Sequence, residues 1–177
     1  MAFDKKLKLS DIKTPKDSLT VLTDSVLPGE TNALNNLFGG ELLARMDRAA
    51  SISARRHAEE IVVTSSVNNV SFGKSIPIGT TVTIEAKVSR AFTTSMEVFI
   101  DVWIDDDGGK KIKANEAIYT FVAVDKFGKP TKIDKINPET EEEKKRYDAA
   151  LRRRQLSLVL AGKMKADDAT ELKALFT

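Results

Sequence analysis

Three residues of one segment have types and spacings that could do chemistry: Gly39, Gly40 and Asp47, within TNALNNLFGGELLARMDRAASISA at positions 31–54. The apolar spacing predicts a helix over about 37–60, so the glycines fall at its opening turn. The first turn of a helix leaves backbone N–H groups without partners at the positive end of the dipole. Two glycines there put no side chain between those donors and a ligand, and such a turn can stabilise negative charge developing on a carbonyl oxygen. The same pair would equally serve close packing of the helix on a sheet.

Asp47 falls among Leu43, Ala50, Ser51 and Ala54 at helical spacing, away from the arginines. A carboxylate in that company costs stability unless it is paired or has work to do. It is either a structural acid hydrogen-bonded to a strand end or a functional one. Asp47 lies about two turns beyond Gly40, or ~10 Å along the axis. A group held at the opening turn would therefore meet the aspartate of a second copy of the chain more easily than its own.

The elements that must position these residues follow from the rest of the pattern. Residues 18–26 read as an edge strand. The long helix carries an apolar stripe of Leu42, Leu43, Met46, Ala49, Ala50 and Ala54, with Glu41, Arg45, Arg48 and Arg55 along another side. Period-two segments follow at 61–72, 81–89, 95–104 and 111–125, the last two joined by a DDDGGK turn. Short connections predict antiparallel pairing. Helical spacing returns from about 138, with acids first and arginines later, and a short helix is expected over about 166–176. The class is α+β, an antiparallel sheet folded around one long helix with a C-terminal helical tail.

Composition narrows the function. The 177 residues are 41% hydrophobic and 31% charged, which suits one globular domain. A net charge of +2, from 28 basic and 26 acidic residues, argues against a general nucleic-acid binder. With no cysteine, disulfides, thiol nucleophiles and Cys-ligated zinc are excluded, and one histidine excludes a His-rich metal site. No run of 18 apolar residues suggests a membrane span, and the charged N-terminal stretch lacks the apolar core of a secretory signal. The expected compartment is the cytoplasm.

FGGELLARMDRAA, preceded by TNALNN, resembles the hotdog-fold acyl-CoA thioesterases, in the branch of bacterial and brain-type acyl-CoA hydrolases. The likeness continues through TSM at 94–96, FVAVD at 121–125 followed by GKP, and PETEEEKKRY near the C-terminus. It covers about residues 18–156, leaving 1–17 as a lead-in and 157–177 as a helical extension. It implies hydrolysis of acyl-CoA to a free acid and CoA, with Asp47 as general base or nucleophile. By the same likeness Asn32 positions water or thioester, and the amide of Gly40 or Gly39 polarises the carbonyl. Asparagine and aspartate would come from opposite subunits of a homodimer, itself often one part of a trimer of dimers.

Residues expected to bind substrate or CoA are Gly39, Arg90, Thr94, Ser95 and Lys74, with no cofactor beyond the CoA of the substrate and no metal. Two departures touch the nucleotide end. An arginine often precedes TSM in the family, where this chain has Thr93, with Arg90 three residues earlier. The usual F-x-K-P-I-x-x-G-D turn reads FGKSIPIGT here.

Other residues have competing readings. His57, near the helix end, reads as a capping or surface histidine; without it no histidine base remains, which counts against the hotdog dehydratases. Arg152, Arg153 and Arg154 could hold CoA phosphates, whereas a solvated helix end would account for at least two of them. Phe72, Phe99, Trp103, Tyr119 and Phe121 read as core or interface residues. Two other functions compete with the hydrolase: a silent acyl-CoA sensor on the same fold, and a thioesterase acting on acyl-carrier protein.

Overall fold

The computed structural model describes residues 13–105 and 108–176, so most of the expected lead-in lies outside the described residues. Its main elements are β1 (Thr20–Ser25), α1 (Gly39–Ala58), β2 (Ile61–Phe72), β3 (Thr81–Ala91), β4 (Ser95–Asp105), β5 (Lys111–Val124), α2 (Glu141–Leu160) and α3 (Thr170–Lys173). The five strands form one antiparallel sheet in the order β1-β3-β4-β5-β2.

Alternation in β4 explains how the sheet acquires two buried faces. Met96, Val98, Ile100 and Val102 point inward with no exposed surface, against the Met46, Ala49, Ala50 and Ala54 stripe of α1. Small residues let helix and sheet approach closely, and each fully buried large side chain contributes roughly 1.5–3 kcal/mol. This is the hotdog arrangement, with α1 as the filling.

The outward residues of β4 are not left to solvent. Glu97 and Asp101 are buried beneath α2, where Arg153 and Arg146 each form two-pronged hydrogen bonds to them at 2.8–3.3 Å. The Arg146 guanidinium also lies 3.7 Å from the centroid of Phe99. Arg146 and Arg153 thus clamp the tail helix to the sheet, and Arg154 bonds Ser95 Oγ, so a solvated helix end does not describe Arg153 or Arg154. Helix α2 runs unbroken to Leu160, and the tail folds back so that Leu172 N donates to Gln155 Oε1 at 2.8 Å.

One local expectation changes. Consecutive strands β2 and β3 do not pair; β2 pairs with β5 at the far edge. The connection between them is bonded instead to the lead-in of α1, through Leu37 N to Ile76 O and a bridge between Asn36 and Pro77. Arg45, on the side of α1 away from the apolar stripe, is buried, its Nη2 donating to Glu30 Oε2 at 2.6 Å and to Ser25 O at 3.1 Å.

Candidate active site

Helix α1 begins at Gly39 with Phe38 as its N-cap, and no side chain caps its first turn. The same chain closes α2 fully: Thr140 Oγ1 accepts from Glu143 N, while Glu143 Oε2 accepts from the Thr140 and Glu139 amides. An uncapped turn of a 20-residue helix beside a capped one marks donors left available. Neither glycine has a positive φ, so the backbone does not demand them. The space around the two differs. A Cβ on Gly40 would lie 2.6 Å from the Phe38 ring, whereas one on Gly39 would make an ordinary 3.6 Å contact with Phe72.

Asp47 is half-buried on the side of α1 that faces β2. Its Oδ1 accepts a hydrogen bond from Thr64 Oγ1 at 2.8 Å, which orients the carboxyl group and leaves Oδ2 available. Sequence reading missed Thr64. Its signal was slight, a threonine in the IVVTSS strand with nothing to fix its partner. Next to this pair lies Tyr119, buried, with its hydroxyl donating to Leu43 O at 3.1 Å. Burial, and after it the charge of Asp47, raises the Tyr119 hydroxyl to about 12, so the phenol stays neutral and is no competing base.

Asn32 sits in the exposed loop before α1. Its Oδ1 accepts from the Leu34 and Asn36 amides at 2.9 and 3.2 Å, and its own amide donates to Asn36 O. The carbonyl oxygen is committed to holding the loop, so Nδ2 is the group with which Asn32 can address a ligand.

The expected site residues fall into separate groups. Asn32, Gly39, Gly40 and Lys74 gather at the end of the sheet where α1 begins: Gly39 neighbours Phe72, and Lys74 N donates to Ala114 O. Thr94, Ser95 and Arg90 lie at the other end, because Ser95 pairs with Val122 while Val102 pairs with Asn115. That register separates the ends by roughly 20–25 Å at about 3.3 Å per residue. One protomer's Lys74 and Ser95 therefore cannot meet the same phosphate. Arg90 is engaged with α2, its guanidinium 4.0 Å from the Tyr147 ring and donating to Tyr147 O.

His57 is a correction. It is neither a surface nor a capping residue: it is buried, its Nε2 within 2.9 Å of Asp134 O, and desolvation lowers its pKa despite that bond.

Strand β2 matters most for what lies beyond one chain. It is a 12-residue edge strand, paired only with β5, and it exposes Ile61, Val63, Val67 and Phe72. Long apolar edges of this kind are normally covered.

Known proteins match this arrangement. A Bacillus subtilis protein named as an uncharacterised acyl-CoA thioester hydrolase is 41% identical over 78% of this chain and 81% of its own length. The sequence profile of the thioesterase superfamily matches residues 34–111. The chain belongs to the thioesterase superfamily. Among solved structures of these thioesterases, a hexameric acyl-CoA thioesterase superposes with a TM-score of 0.80 at 37% identity, over 84% of this chain and 96% of that one. Staphylococcus aureus acyl-CoA hydrolase bound to butyryl coenzyme A, coenzyme A and coenzyme A disulfide superposes with a TM-score of 0.79 at 36% identity, over 92% and 99%. That hydrolase has also been solved with an aspartate, a threonine or an asparagine replaced by alanine. The three replaced positions are separated along its chain by the same intervals as Asp47, Thr64 and Asn32 in this thioesterase.

Proposed function

We propose that this protein hydrolyses acyl-CoA to a free carboxylic acid and CoA. The observation that carries the proposal is the oriented Asp47–Thr64 pair, its aspartate on the helix that has an uncapped opening turn. The relatives named as acyl-CoA hydrolases, and the butyryl coenzyme A complex of one neighbour, support the substrate class.

In the proposed reaction, Asp47 Oδ2 takes a proton from water as the water oxygen bonds to the thioester carbon. The developing oxyanion is held by the Gly40 amide. Collapse of the tetrahedral intermediate breaks the C–S bond and releases the CoA thiolate, which takes up a proton. Asn32 Nδ2 donates to the water or the thioester oxygen. Direct attack by Asp47 on the carbonyl carbon is the alternative first step; the resulting mixed anhydride would then be hydrolysed. No cofactor is needed, because both routes balance with water alone.

The proposal places the reacting groups on two chains of a homodimer. Asp47 and Gly40 of one protomer are two helical turns apart, and the exposed β2 edge beside Asp47 offers a surface for a second copy. Three dimers would make a hexamer, as in the hexameric neighbours. The proposal keeps the enzyme in the cytoplasm.

The test is release of free thiol from acyl-CoAs running from acetyl to palmitoyl. Wild type should turn over at least one class, and Asp47→Asn should lose about 10²–10⁴-fold while keeping its fold. Unchanged turnover in Asp47→Asn would refute the mechanism. A parallel assay on acyl-carrier protein separates the two thioester carriers.

A further inference from the structure

Asn115 on β5 interrupts an otherwise apolar face. The cross-strand pairs Met96–Phe121, Val98–Tyr119 and Ile100–Ala117 are buried against α1, and the one hydroxyl among them, that of Tyr119, is bonded to Leu43 O. Two residues beyond Ala117 the row continues with Asn115, opposite Val102 on β4 and Phe72 on β2. Directly opposed residues share a face of the sheet, so the Asn115 side chain stands between Val102 and Phe72 on the side where α1 lies. A register shift there pairs Val102 with Asn115 but Trp103 with Lys113, which leaves Ala114 as the extra residue of a bulge. Bulges of this kind re-aim side chains beside functional sites.

The opening turn of α1 is close by. The Phe72 ring lies 3.6 Å from where a Cβ on Gly39 would be, and one strand spacing of ~5 Å separates Phe72 from Asn115. Phe38 stands against Gly40 on the other side of the turn, and both rings are more than half exposed. The uncapped amides are thus flanked by two movable aromatic walls, with Asn115 behind one of them.

Asn115 is 3% exposed, and among the described residues neither its Nδ2 nor its Oδ1 has a hydrogen-bond partner. An amide kept from water with both ends unpaired costs stability, which an apolar side chain of the same size would not. The other buried polar atoms without a partner are placed differently. Arg45 and His57 each bond through a second nitrogen, and Trp103 is half-buried on the opposite face of β4. Ser53 sits on α1 about 20 Å along the helix from its start. Of these residues, Asn115 is the one that brings an unpaired donor and an unpaired acceptor to the helix opening.

We propose that Asn115 selects the acyl group, its amide taking a hydroxyl carried on the second or third carbon of the acyl chain. The inference rests on the thioesterase reading, in which the Gly40 amide holds the thioester oxygen. An acyl chain that starts at that turn and displaces the Phe72 ring meets Asn115 within its first carbons. A hydroxyl satisfies both ends of the amide at once, donating to Oδ1 and accepting from Nδ2. A ketone satisfies Nδ2 alone, and a saturated chain satisfies neither. The expected order of preference is therefore hydroxyacyl, oxoacyl, unsubstituted acyl.

The experiment measures thiol release by full-length wild type, Asn115→Leu and Asn115→Val on butyryl-CoA, 2- and 3-hydroxybutyryl-CoA and 3-oxobutyryl-CoA, with a thermal melt of each protein. Wild type should favour one hydroxy ester over butyryl-CoA at least about tenfold in kcat/KM, with the oxo ester between them. Asn115→Leu should abolish that preference while Tm holds or rises, because no bond within the fold is lost. Asn115→Val, whose branched side chain suits a strand, serves if the leucine variant does not fold. The proposal is overturned if wild type shows no preference or if the folded variants keep it. A lower Tm with the preference intact would make Asn115 a structural residue and overturn it equally. If wild type releases thiol from none of the esters, the hydrolase reading fails and calorimetric binding of the same esters decides on Asn115. A hydroxy ester bound about tenfold more tightly than butyryl-CoA, with the difference lost in Asn115→Leu, would support the site; equal affinities would overturn it.

Discussion

Thr64 on β2 donates a 2.8 Å hydrogen bond to Asp47 on α1, tying the central helix to the edge strand. A hydrogen bond to a charged group contributes about 1.5–3 kcal/mol, or roughly 10- to 100-fold in a rate that depends on it. Thr64→Val keeps the shape and removes the donor. It should lower kcat on acyl-CoA by about 10- to 100-fold, less than Asp47→Asn, with little change in Tm. Turnover equal to wild type would remove Thr64 from the machinery.

The two glycines make a paired prediction. Gly39→Ala adds a methyl at ordinary contact distance from Phe72 and gains helix propensity of about 0.5–1 kcal/mol, so Tm should hold or rise. Gly40→Ala forces the Phe38 ring to move and places a methyl beside the amide assigned to the oxyanion. Its kcat should fall at least tenfold, the lower range for one lost oxyanion donor. Thermal melts and thiol release on both variants check this, and equal activity in the two would count against the Gly40 role.

What the sequence made legible was periodicity. The β2 limits at 61–72 coincide with the strand, and of the α1 stripe Leu42, Met46, Ala49, Ala50 and Ala54 are buried while Leu43 is half-buried. Pairing was less legible, because β2 and β3 are neighbours in sequence and β5 is the partner that β2 takes. Burial of charge was legible at Asp47, from its neighbours along the helix, and not elsewhere. Arg45, Glu97 and Arg153 have the types of surface residues, and only the approach of Glu30 or of α2 reveals their pairing. The same holds for Thr64, which became a site residue through a contact 17 positions away.

The Glu97–Arg153 pair tests that buried clamp. Glu97 is 4% exposed, so Arg153→Met strands a buried carboxylate supported only by Ser89. Breaking a fully buried pair costs about 3–5 kcal/mol; with a quarter of Arg153 open to water, about 2 kcal/mol is expected, lowering Tm by about 5 °C. Adding Glu97→Leu to Arg153→Met should recover most of the loss. A double variant as unstable as the single would show that the pair's attraction outweighs its desolvation.

His57 links stability to pH. Burial favours its neutral form, so its folded pKa lies below the ordinary 6.5 while the unfolded chain protonates near 6.5. Below that pH the unfolded state binds the extra proton, and stability falls as pH drops from about 6.5 through the folded pKa. His57→Gln keeps a donor for Asp134 O and removes the titration. Its Tm should decline less than that of wild type between pH 7.5 and 5.5. Parallel declines would place the acid sensitivity elsewhere.

The shared site is tested most directly by complementation. Inactive Asn32→Ala and Asp47→Ala chains are mixed under conditions where subunit exchange is independently established, and thiol release from acyl-CoA is measured. In a hybrid dimer one site carries both lesions and the other carries neither, so random assortment predicts recovery of about a quarter of wild-type turnover. Recovery to that level would support catalysis by Asp47 against the partner's Asn32 and helix start. Exchange without any recovery would contradict it.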